Sequence, residues 1–179
     1  MFSYFNISKS KTIEKTEVTL STNQHLPVDD TLIPTGSIEP YPNIEPLTPF
    51  VLGQHQPDID HCFIMDPYDE EPDTIPTDTR GRPIRIHASF YHPDSKTHLE
   101  VLSTEPAFQF YTGKYIDVPA IKDPNGVILV PSREARAGFC VEPSRYVNAV
   151  NKPEWKSMVT VKRGEKFGSR VIYRAWKGK

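Results

Sequence analysis

The sequence predicts an all-β protein, an antiparallel β-sandwich of short strands. Three observations predict it: apolar residues recur with a period of two, turn residues separate these runs, and stretches with helical period are almost absent. In residues 84–91, Ile84, Ile86, Ala88 and Phe90 alternate with Arg85, His87, Ser89 and Tyr91, the pattern of a half-buried strand. Residues 92–96 have turn chemistry, and 97–103 follow as the hairpin partner. Further strands are expected at 15–20, 107–112, 127–130, 139–142, 158–162 and 169–176.

Alternation also assigns faces. If Phe139 and Val141 enter the core, Cys140 and Glu142 face the other way, and Pro143 ends the strand just past the carboxylate. Likewise Phe108 and Phe110 share one face, and Gln109 and Tyr111 the other. From the residues alone, Glu142 is either a solvated charge at a strand end or a base.

Eighteen prolines are about twice the usual proportion, and eleven fall within residues 27–83. No long helix or central strand is expected to persist there. The region reads as ordered loop rather than linker, because Phe50, Val51, Leu52, Ile59, Phe63, Ile64 and Met65 supply apolar anchors.

At 179 residues the chain fits one domain, residues 1–179. Lys and Arg total 21 against 23 for Asp and Glu, so no basic footprint for nucleic acid or an anionic membrane exists. The longest apolar runs, such as 126–130, are too short to span a bilayer, and the Met1 end lacks a signal-peptide pattern. A soluble cytoplasmic protein is expected. Cys62 and Cys140, far apart and without a CxxC, predict no disulfide framework or zinc site and read as buried small apolar residues.

Five ordered motifs go further: SYFNIS at 3–8, TIEKTEVTLSTNQHLPVDDTLIPTG at 12–36, PDIDHCF at 57–63, LEVLSTEPAFQFYTG at 99–113 and GFCVEPSRYVNAVNKPEW at 138–155. Together they resemble the aldose 1-epimerase (galactose mutarotase) family, especially its fungal members. The resemblance implies a large antiparallel supersandwich that interconverts the α and β anomers of aldohexoses such as galactose and glucose, without cofactor or metal. A base takes the C1 hydroxyl proton, an acid protonates the ring oxygen, and the opened ring recloses as the other anomer. By this resemblance Glu142 is the base, Asp60 fixes sugar hydroxyls, Gln109 is a further sugar contact, and Tyr4 touches the ligand.

The family places its acid, a histidine, directly before the Ser-Tyr-Phe-Asn run, where this chain has Phe2. A phenyl ring donates no proton. A complete family member is roughly twice as long, so the resemblance covers a C-terminal half, truncated on the N-terminal side. General acid catalysis is typically worth about 10²- to 10⁴-fold, so impaired catalysis is expected.

The six histidines read as ordinary surface or hydrogen-bonded residues rather than replacement acids, with His61 pointing away from Asp60 on strand alternation. Asp60, His61 and Cys62 alternate faces and so do not share a metal ion. Asp69, Glu70 and Glu71 read as a solvated loop. Three possibilities stay open: an epimerase whose chain starts upstream of Met1, a catalytically inactive family remnant, or a noncatalytic sugar-binding or interaction sandwich. The truncated sandwich is expected to expose strand edges and to self-associate through them.

Overall fold

The computed structural model describes residues 3–65 and 74–178; Phe2 and the acidic run at 69–71 lie outside the described residues. Two antiparallel sheets stack as a sandwich. One contains, in spatial order, Tyr4–Phe5 (β1), Phe139–Ser144 (β12), Ala107–Tyr111 (β9), Asp60–Ile64 (β6), Gln24–Leu26 (β3) and Glu39–Pro40 (β4). The other runs Val171–Lys177 (β13), Thr97–Ser103 (β8), Arg85–His92 (β7), Glu17–Leu20 (β2) and Phe50–Val51 (β5). Ile121–Lys122 (β10) and Ile128–Val130 (β11) form a separate two-stranded ribbon.

The main core lies between the sheets. Val18, Phe90 and Leu99 make one cross-strand row, and Leu20, Ala88 and Val101 the next. Phe63, Phe108, Phe110, Phe139 and Val141 meet them from the six-stranded sheet, with Phe90 stacked on Phe139 at 4.3 Å between ring centroids. Burial of such large side chains stabilises by about 1.5–3 kcal/mol each. Period-two alternation in both sheets therefore produces this core.

Four expectations need correction. The 84–91 alternation breaks at a bulge between Ile86 and Ala88, which leaves Ile86 exposed and turns His87 fully inward. Pro143 does not end β12; it sits opposite Phe108, and the strand continues to Ser144. Among the described residues its other edge carries no partner, since β1 pairs only as far as Cys140, so a residue that lacks an N–H fits there. The proline-rich third contributes β6, an interior strand flanked by β9 and β3, since 60–64 is free of proline. Finally, 158–162 is not a strand: Lys156–Val159 is a short 3-10 turn that buries Met158. The apolar anchors are at least partly buried, except exposed Val51.

A second core forms on the outer face of the six-stranded sheet. Leu26, Cys62, Ile64 and Ala107 are covered there by Tyr146, Ala149, Trp155 and Met158. Buried Arg145 fixes this cap by an ion pair with buried Glu105 and by donating Nη2 to Thr77 O at 2.8 Å and Nε to Met158 O at 3.2 Å. The cap covers one part of that face and leaves the adjoining rows open.

Among the described residues no helix is long and apolar enough to cross a membrane.

Candidate functional site

The outer face beside the cap carries two rows of side chains, in which Cys140 and Cys62 are buried. Register sets Tyr4, Cys140, Tyr111 and Asp60 in one row across β1, β12, β9 and β6. It sets Glu142, Gln109 and Cys62 in the next. All four candidate site residues, Tyr4, Asp60, Gln109 and Glu142, thus stand on one face, because each shares the outward phase of its strand.

Gln109 donates from Nε2 to Asp60 Oδ1 at 2.7 Å, a diagonal bond that orients both side chains. Glu142 is part-buried. Burial holds its carboxyl above the ordinary carboxylate range and the Asp60 charge pushes it further up, while a hydrogen bond with Cys140 opposes both. The Cys140 thiol, pushed up to about 12 by burial and then by Glu142, stays protonated, with Sγ against Ser3 O at 3.2 Å. The face therefore offers one carboxyl held above the ordinary carboxylate range and a second bonded to an amide.

Tyr4 and Tyr111 stand edge to face, ring centroids 6.4 Å apart. Desolvation raises both phenol pKa values, and Tyr111 Oη accepts from Tyr115 N at 2.6 Å. Gly113, two residues past β9, has φ +77°, and a Cβ there would lie 2.2 Å from Gly138 O. That glycine lets the strand holding Gln109 and Tyr111 turn tightly against the start of β12.

Val28, Leu32, Pro34 and Val147 wall a recess of about 120 Å³ that reaches Asp60, Cys62 and Gln109. Glu142 lies outside the recess, on the open face. A recess of that volume does not by itself enclose a hexose.

Cys140 and Tyr111 stand on this face beside the four residues expected from the sequence. The signal was present, since both occupy the outward phase that Glu142 and Gln109 define. The histidines lie elsewhere. His61 turns to the inner face beside His25, His87 is buried in the core, and His92 and His98 bond the backbone oxygens of Glu14 and Gly178. His55 is exposed on a loop. Among the described residues no group of three His, Cys, Asp or Glu side chains is placed to hold a metal ion.

The family model for aldose 1-epimerase matches residues 2–174, and the chain belongs to that family. The chain is 37% identical over 176 residues to the bifunctional protein GAL10 of Kluyveromyces lactis, covering 95% of this chain and 23% of that protein. It is 33% identical over 174 residues to human galactose mutarotase, covering 92% of this chain and 45% of the relative. Thus it spans less than half of that mutarotase and less than a quarter of the bifunctional protein. Among solved structures, a GalM/aldose epimerase homologue from C. elegans superposes with a TM-score of 0.75 at 18% identity, covering 99% of this chain and 50% of the other. That likeness establishes the sandwich as the mutarotase type of fold.

Proposed function

We propose that this chain carries the base side of an aldose 1-epimerase site and interconverts the α and β anomers of aldohexoses such as galactose and glucose, slowly when it acts alone. Glu142 takes the proton from the C1 hydroxyl, Asp60 and Gln109 hold neighbouring hydroxyls, and the Tyr4 ring lies against the sugar. The observation that carries this reading is the common face of Glu142, Gln109 and Asp60, with the 2.7 Å bond between the last two. The reaction needs proton transfers at the C1 hydroxyl and the ring oxygen, cleavage and re-formation of the bond between C1 and the ring oxygen, and rotation about C1–C2. With Phe2 before Ser3, ring-oxygen protonation falls to water, which slows the reaction by about 10²- to 10⁴-fold.

Polarimetry on freshly dissolved α-D-galactose tests this. The expected result is a rate slightly above buffer that returns to the buffer rate in Glu142→Ala. An unchanged rate in the variant removes Glu142 from the mechanism. A buffer-level rate in the parent chain leaves the inactive-remnant reading, which Phe2 favours.

The proposal includes self-association. β13 is exposed along all seven residues, including Ile172, Tyr173 and Trp176, and among the described residues one of its edges is unpaired. The ribbon adds exposed Ile121, Ile128 and Leu129. Such edges recruit further strands.

A further inference from the structure

A larger cleft opens where the two sheets part, at the β4 and β5 edges. It measures about 570 Å³, a volume typical of small-molecule sites. Its floor is a cluster of three rings, His25, Tyr41 and His61, with centroids 4.9 to 5.2 Å apart and planes at 70° to 73°. Asn43, Gln56 and Asp58 complete the polar lining. His61 follows Asp60 on β6 but points to the opposite side of the sheet, so this cleft is separate from the Glu142 face.

The cluster is ordered by named contacts. His25 donates from Nδ1 to Glu39 O at 2.7 Å, which leaves its Nε2 an acceptor. Lys114 Nζ holds Asp58 Oδ2 at 2.6 Å. The chemistry narrows the ligand class. Burial lowers the pKa of both imidazoles, so they are neutral near pH 7, and with carboxylate Asp58 they do not attract an anion. Three nearly perpendicular rings form a corner rather than a slot, so no parallel pair of faces is available to sandwich a flat aromatic ligand. A puckered ring with apolar C–H faces and several hydroxyls suits that corner, because imidazole, phenol, amide and carboxylate together provide donors and acceptors.

We propose that this cleft is a second binding site, for a pyranose sugar, on the face of β6 opposite Asp60. It is independent of the reading of Glu142 as a base. The probe is methyl β-D-galactopyranoside, whose locked anomeric carbon cannot be isomerised. Proton NMR of the intact chain should show saturable shifts of the His25 and His61 ring signals. Tyr41→Phe and His61→Phe, which keep a ring in place, should each weaken the response about tenfold, the loss of one or two hydrogen bonds. Gln109→Ala should leave it unchanged. The proposal is overturned if the ring signals do not move at high sugar concentration. It is equally overturned if both ring variants respond like the parent, or if Gln109→Ala alone abolishes the response.

Discussion

Gln109 and Asp60 are hydrogen-bonded at 2.7 Å although neither is the other's cross-strand partner: Gln109 pairs with Cys62, and Asp60 with Tyr111. The diagonal bond ties the two outer rows together and keeps a negative charge near Glu142. On the proposed reading, a sugar entering here would meet an acceptor and an amide already fixed in place, with little ordering cost left for these groups.

The first prediction concerns pH. On the proposed reading Glu142 is a base and so works only when ionised, and burial together with the smaller effect of the Asp60 charge raises its pKa. Activity should therefore fall as pH drops through a midpoint above the ordinary carboxylate value. Asp60→Asn removes the second contribution and should move that midpoint to lower pH, even as substrate binding weakens. Polarimetric pH profiles of both proteins check this, and an upward shift would contradict it.

The second concerns the cap. Arg145 is buried, pairs with Glu105 and bonds two segments of backbone. Arg145→Leu strands the Glu105 carboxylate and should cost about 3–5 kcal/mol of stability. Urea unfolding measures this; a loss below about 1 kcal/mol would place the pair among interactions of little net worth.

The third concerns His87. It is fully buried, packs at 5.1 Å on Phe108, and neither ring nitrogen has a partner among the described residues. Burial, with a smaller effect of Arg85, pushes its pKa down to about 3. The unfolded chain takes up the proton first, so stability is full above about pH 6.5 and falls below it by up to about 1.4 kcal/mol per pH unit. His87→Leu should remove that slope, raising Tm more at about pH 5 than at about pH 8. Equal shifts at both would refute the linkage.

The fourth concerns β13. Ile172→Lys places a charge on the exposed edge strand and should shift the chain towards monomer in sedimentation velocity. A monomeric parent at the same concentration would contradict the edge-pairing proposal.

Alternation at 108–111 and 139–142 made the placement of Gln109 and Glu142 legible, because both strands are buried on the core side and a one-residue slip would turn Phe110 and Val141 outwards. It failed at His87, where one extra residue in β7 resets the phase, a feature without a local residue signature. It failed again at Met158, whose burial comes from packing with Trp155 and Tyr146 in a short turn rather than from a sheet. The diagonal Gln109–Asp60 bond depends on strands 49 residues apart in sequence, so only the assembled sheet reveals it.

The most direct test of the central claim is the side-chain amide signal of Gln109, followed by nitrogen-edited NMR while D-galactose is added. A sugar seated on the Glu142 face should move that signal saturably, and Glu142→Gln should weaken the response. An amide signal that stays fixed while sugar binding is detected elsewhere on the protein would contradict the account.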